Sequence, residues 1–186
     1  MDKRKEILLS ALREKDEPIR KLAADALEKL EIRSKLEHFE KKIDAGEMLE
    51  KIRAVYALAD LKGPKVAELL ARAMKDSAED VRAAAVRVLA NKGEVALPLL
   101  VEALKDQAPI VARASADALS NFHDARLLGP LMQALKNPDI GVVERALDCI
   151  GRIGDKRAEE AMAFFAVKGN RKLRSIALKA LGEMDR

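Results

Sequence analysis

The sequence repeats itself about every 31 residues, and this period constrains the fold more than any other feature. The clearest copies share nine positions, apolar-Arg-x-x-Ala-x-x-small-Leu, at residues 19–27, 81–89 and 173–181. Weaker copies end at Leu58, Leu119 and Ile150, so the closing apolar residue returns in steps of 30 or 31 residues. Six units therefore fill the 186 residues, approximately 1–31, 32–62, 63–93, 94–123, 124–154 and 155–186.

A second apolar series precedes each nine-position pattern and predicts another helix in every unit. Because residues three or four apart share one helix face, each unit is expected to contain two amphipathic helices. Most joins carry Gly or Asn, but the join near residue 32 has neither Gly nor Pro, so the helix there either runs on or turns irregularly. The predicted first-helix anchors are Leu12, Ile43, Met74, Leu104, Leu135 and Val167, each preceded by Leu8, Phe39, Leu70, Leu100, Leu131 or Phe164.

Composition supports the same fold. The chain contains 32 Ala and 26 Leu, whereas aromatic residues make up only 3% and Trp is absent. Ala and Leu are strong helix formers, and sheets draw instead on β-branched and aromatic residues. We therefore predict an all-α protein, a single α-solenoid of six two-helix repeats over residues 1–186. Ala at pattern position 5 is expected to let neighbouring helices approach to about 8–10 Å.

The motif Asp-x-x-x-Val-Arg-x-x-Ala-x-x-Ala-Leu, ending near Gly-Asp, resembles the short HEAT-like repeat of phycobilisome-lyase type. Residues 173–181 and the Gly154-Asp155 ending carry the resemblance best. It implies a solenoid whose second helices line a concave face and whose first helices form the convex back. It also implies protein binding in most relatives, and bilin chemistry, iron-dependent hydroxylation or DNA binding in some.

The residues that catalysis would need are scarce. His38 and His123 form none of the His-Glu pairs that an iron hydroxylase of this kind would use, so we expect no metal site. Cys149 stands where other units have Ala and is expected to be a buried, inert thiol. We predict a protein that is not an enzyme and has no cofactor. An accessory role beside a bilin-lyase-like enzyme stays open, because that role could rest on holding a pigment.

The net charge of +4 arises in the last third of the chain. A nucleic-acid groove would need cations and stacking aromatics along its length, so we expect no nucleic-acid partner. Three interpretations of the basic C-terminal residues are kept: a solvated cap, a dock for an acidic protein, or a nucleic-acid contact. These residues are Lys168, Arg171, Lys172, Arg174 and Lys179.

Pattern positions 3 and 7 should face a partner if the second helices line a groove. Units 2 and 3 depart from the usual charged residues there, with Ile52, Tyr56 and Ala83. A Tyr beside Arg over an aliphatic floor is typical of an interface hot spot. Alternatively, Ile52 and Tyr56 pack against the irregular first join. We predict that an unidentified protein or peptide binds at Ile52, Tyr56, Arg87, Arg113 and Asp117.

The sequence also bears on location. The charged start of the chain offers no signal-peptide core, and no window approaches the roughly 20 apolar residues of a membrane span. We expect a cytoplasmic protein without a membrane partner, most simply a monomer.

Overall fold

The computed structural model describes residues 3–183, and every regular element in that range is helical. Short 3₁₀ turns at Glu94–Ala96, Ala125–Leu127 and Lys156–Ala158 lead into three of the helices. The helices are α1 (Lys3–Ala11), α2 (Glu17–Ala45), α3 (Met48–Ala57), α4 (Pro64–Ala73), α5 (Glu79–Leu89), α6 (Leu97–Ala103), α7 (Pro109–Leu119), α8 (Leu128–Ala134), α9 (Ile140–Ile153), α10 (Glu159–Lys168) and α11 (Arg171–Glu183).

The chain forms two compact units, Met1–Ala54 and Val55–Arg186. In the first unit α1 packs on α2, which is a single helix of 29 residues. It runs straight through the join near residue 32, so of the two sequence-based alternatives the continuous helix is the one that forms. The absence of Gly and Pro explains the result, because nothing in that segment stops a helix.

The second unit is a row of helix pairs, α4–α5, α6–α7, α8–α9 and α10–α11. The second helix of each pair packs against the second helix of the next, in the order α5, α7, α9, α11. This is the arrangement of an α-solenoid, and it confirms the predicted all-α repeat fold.

The nine-position pattern marks the core of each repeat. Position 5 is buried in all six copies, as expected for the small residue at a close helix contact. Ser115 takes this position in the fourth copy, where its hydroxyl donates to the Leu100 carbonyl oxygen. The bond satisfies a polar group that would be costly to bury unpaired. The buried position-5 residues are Ala23, Ala54, Ala85, Ser115, Ala146 and Ala177.

The predicted first-helix anchors of the last repeat are wrong. Phe164 and Val167 are exposed, by 59% and 71%, whereas Met162 and Ala166 are buried. Met162 follows Leu131 by 31 residues, so the last repeat keeps the 31-residue period, whereas the predicted anchor Phe164 departed from it. The burial of Met and Ala in place of Phe and Val follows from helix phase, because Ala158, Met162 and Ala166 share one face.

Polar side chains define the turns. Asp16 and Asp139 are N-caps, and each carboxylate accepts from the backbone N–H three residues on, that of Ile19 or Val142. Arginines at pattern position 2 donate to the backbone carbonyl oxygens of the turn that precedes their helix. Arg82 Nη1 donates to the carbonyl oxygens of Asp76 and Ser77, at 2.9 and 3.0 Å.

Candidate partner-binding groove

The second helices of the second compact unit line a groove of about 500 Å³. We call this the second-helix groove. Its floor is aliphatic, formed by Ala90, Ile110, Ala114 and Ala118, and its polar lining consists of Arg87, Arg113, Asp117, Asn121 and Arg145. Three of the five predicted site residues, Arg87, Arg113 and Asp117, therefore come together in one groove.

Arg113 is held in place by a bidentate ion pair with the next repeat. Its Nε and Nη2 donate to Asp139 Oδ1 and Oδ2, at 2.7 and 2.5 Å. These bonds lower the pKa of the Asp139 carboxyl to about 2. Gly141 makes room for the guanidinium, because a Cβ there would lie 2.7 Å from Arg113 Nε. The arginine therefore has one preferred orientation at the groove wall.

Asp117 is paired with a residue that the sequence interpretation missed. Arg145 Nε lies 2.7 Å from Asp117 Oδ1, an ion pair without hydrogen-bond geometry, so this buried N–H has no hydrogen-bond acceptor among the described residues. Arg145 Nη1 donates to the Gly141 carbonyl oxygen at 3.0 Å. Arg145 stands at pattern position 4, and only positions 3 and 7 were expected to face a partner. Positions 4 and 7 lie three apart on a helix, so the same periodicity could have identified it.

Tyr56 extends this site at the edge of the second unit. Its ring is 44% exposed, and its hydroxyl accepts from Arg87 Nη1 at 3.5 Å. Ile52, also on α3, is half-buried and belongs to the first compact unit, and it is not one of the residues that line the groove. Ala83 was expected to face a partner but is fully buried. The four consecutive residues 83–86 are all buried, and four residues go once round a helix, so α5 is enclosed on every side at this point.

The side chains considered for chemistry lie apart from this groove. His38 and His123 are exposed, on α2 and in the turn after α7. Cys149 is buried, and burial raises the pKa of its thiol to about 11, which suppresses the thiolate. Over residues 3–183, no three His, Cys, Asp or Glu side chains are grouped to hold a metal ion. No helix in the described part of the chain is long and apolar enough to cross a bilayer.

The basic C-terminal residues all lie exposed on α10 and α11. Two of them are engaged locally: Lys172 Nζ bonds Glu144 Oε2 at 2.5 Å, and Arg174 Nε donates to the Ala166 carbonyl oxygen at 3.1 Å. The Glu144 carboxylate, which the sequence places beside Asp148, is thus neutralised by Lys172 from the next repeat.

The first compact unit has surface depressions that sequence reasoning did not anticipate. One of about 660 Å³ is lined mainly by charged side chains of α1 and α2. Another, of about 490 Å³, is almost wholly apolar and is lined by Ile7, Leu8, Ala26 and Leu30 together with the stems of basic residues. Neither includes a predicted site residue.

Solved structures of similar fold include designed armadillo repeat proteins. A designed armadillo repeat protein in complex with the peptide (KR)4 has 19% identity and a TM-score of 0.56, over 98% of this chain and 100% of that one. A computationally designed armadillo repeat protein for modular peptide recognition has 20% identity and a TM-score of 0.58, over 94% and 97%. An engineered protein has 20% identity and a TM-score of 0.54, over 100% and 97%. At these identities the likeness concerns the fold alone.

Comparison with protein families gives a more specific result. No curated protein sequence matches the chain. The family model of HEAT repeats matches twice, over residues 36–120 and 97–182, and so covers most of the helix pairs described above. The nine-position pattern, the row of packed helix pairs and these two matches agree: the chain belongs to the HEAT repeat family.

Proposed function

We propose that the protein is a non-catalytic scaffold or adaptor that binds a peptide segment of a protein partner in the second-helix groove. The observation that carries this proposal is the convergence of Arg87, Arg113, Asp117 and Arg145 over an aliphatic floor. Arginines at such a site can donate to the carbonyl and carboxylate oxygens of an extended chain, and the floor can receive an apolar side chain.

The charges of the groove indicate which peptides suit it. Three arginines line it: Arg113 is paired with Asp139 and Arg145 with Asp117, whereas Arg87 donates to the uncharged phenol of Tyr56, so the groove has an excess of positive charge. A peptide with acidic side chains is therefore the expected ligand. The designed armadillo repeat protein noted above binds the basic peptide (KR)4, so a similar fold presents a peptide-binding surface, here with the opposite charge preference. We place this activity in the cytoplasm, as the sequence suggests.

The double variant Tyr56→Ala, Arg87→Glu tests the proposal. It removes the exposed aromatic ring and reverses the charge at position 87, and both side chains are exposed enough for the fold to persist. In quantitative affinity capture from the native host, proteins held by the wild type should be depleted about tenfold or more, as hot-spot losses of this kind predict.

The matched control is Val95→Ala, Lys136→Glu, which makes the same kinds of change at exposed positions outside the groove. It should retain the captured proteins. If both double variants lost the same proteins, or neither did, the groove would not be the binding site.

A further inference from the structure

The last repeat exposes a residue that every internal repeat of the second unit buries. Pattern position 6 is fully buried at Val55, Val86, Ala116 and Leu147. In the last repeat this position is Leu178, which is 56% exposed. A capping repeat of a solenoid usually carries a polar outer face, whereas α11 has at this exposed position the apolar residue of an internal repeat.

Two glycines that occupy equivalent positions on α9 and α11 show what the exposed face of α11 could bind. Gly151 on α9 touches α11 so closely that a Cβ there would lie 2.8 Å from the Ala180 Cβ. Gly182 follows Gly151 by 31 residues, and a Cβ there would meet no atom within 4 Å. The outer face of α11 therefore repeats, at Leu178 and Gly182, the surface on which α11 itself docks. A helix with a small residue in the place of Ala180 fits it.

The first repeat carries the matching residues. Ala26 stands at position 8, the position of Ala180, and lines the open apolar depression of about 490 Å³. Ile19 stands at position 1 and is 43% exposed, whereas Val81, Val111 and Val142 at the same position are fully buried. We call Ile19 and Ala26 the head surface, and Leu178 and Gly182 the tail surface.

One ion pair between neighbouring repeats supplies a further correspondence. Arg82, at position 2, donates from Nε and Nη2 to the two carboxylate oxygens of Asp106 in the next repeat, both at 2.8 Å. The position-2 residue of the last repeat is Arg174, which is exposed. The residue of the first repeat that corresponds to Asp106 is Glu14, also exposed and acidic. A head surface in register on a tail surface would thus bring opposite charges together.

From these three correspondences we infer that a second copy of the chain docks its head surface on the tail surface, head to tail. Ala26 takes the place of Ala180 against Gly182, Ile19 covers Leu178, and Glu14 meets Arg174. A contact of tail on tail is disfavoured because each tail carries Arg171, Arg174 and Lys179. The sequence alone suggested a monomer, but the exposed apolar ends favour association. Such a contact leaves one head and one tail unoccupied on every oligomer unless a ring closes, so the assembly grows with concentration.

Sedimentation velocity of the full chain over about a hundredfold concentration range tests this inference. The wild-type mass should rise above that of a monomer as the concentration increases. Gly182→Leu fills the open space on the tail, and Ile19→Glu places a charge on the head, so each variant alone should remain a monomer. Val95 is 80% exposed and belongs to neither the head surface nor the tail surface, so Val95→Glu should assemble as the wild type does.

An equimolar mixture of the two blocked variants distinguishes this geometry from other forms of association. Gly182→Leu retains a head and Ile19→Glu retains a tail, so the mixture should form dimers and nothing larger. Circular dichroism of each variant checks that its helices persist. A wild type that stays monomeric throughout, a dimer that only one of the two substitutions abolishes, or loss of assembly in Val95→Glu would overturn the inference.

Discussion

At the scale of single residues, the groove depends on arginines whose orientation the neighbouring repeat fixes. Arg113 is oriented by Asp139 and accommodated by Gly141, so a carboxylate and a glycine of one repeat position a groove-lining arginine of another. Arg145 is likewise placed beside Asp117. Residues that contact no ligand thus determine the geometry offered to one, because a rigid donor fork binds best when it is already oriented.

The Asp139–Arg113 pair predicts a dependence of stability on acid. The pKa of Asp139 is about 2 in the folded chain, below the usual value of about 3.9 in an unfolded one. A lowered pKa stabilises the folded state above the unfolded pKa, and this contribution is lost as the pH falls from about 4 to about 2. We expect the Asp139→Asn variant to lose less thermal stability over this range than the wild type.

Asn is the suitable replacement because it remains a good N-cap while removing the titrating carboxyl. Thermal unfolding followed by circular dichroism across this pH range provides the measurement. Parallel melting-temperature curves for the two proteins would show that Asp139 does not carry this dependence.

How much of the groove the sequence could predict is also a matter of single residues. Arg87, Arg113 and Asp117 were identified because repeat position alone sets which way a side chain points. Ala83 was misplaced because a repeat pattern does not reveal how closely a neighbour packs against an alanine. Arg145 was missed because position 4 is Arg in two units and small or apolar in the other four, so the pattern itself gives it no consistent role.

At the scale of helices, the 31-residue period predicted the helix pairs but not every boundary. The sequence did not decide whether α2 continues through the join near residue 32. Gly and Pro, which end helices, are absent there, and that absence fits either a continuous helix or an irregular turn. In the last repeat, the anchors of the first helix, α10, were assigned to Phe164 and Val167 because these residues are more hydrophobic than Met162 and Ala166, which are the ones buried. The helical period decided which residues are buried, because Met162 and Ala166 lie on the same face as the buried Ala158.

A pair of glycines tests the packing of α11 on α9. Gly151→Leu places a side chain where a Cβ alone would lie 2.8 Å from Ala180, so it should lower the free energy of unfolding by about 1–3 kcal/mol. Gly182→Leu makes the same change in open space and should leave stability unchanged or slightly raised, because Leu favours helix over Gly. Urea unfolding at low protein concentration compares the two; equal effects would contradict the close approach at Gly151.

At the scale of the whole molecule, the two compact units differ in how much core they contain. In the first unit α1 buries none of its residues and α2 only Ala23, Leu27 and Ile43. The second unit holds most of the fully buried leucines and valines, and it alone forms the second-helix groove. A rigid row of packed repeats is well suited to presenting side chains in fixed positions, which a binding scaffold requires.

The central claim is that a partner occupies the second-helix groove, and site-specific photo-crosslinking in the native host tests it most directly. One crosslinking residue replaces Asn121, exposed at the groove, and a second, in a separate variant, replaces Gln133, exposed on the first helix α8. We expect a discrete protein adduct from position 121 that Tyr56→Ala, Arg87→Glu abolishes, and none from position 133. Adducts from position 133 alone, or adducts at 121 that survive the double substitution, would contradict the claim.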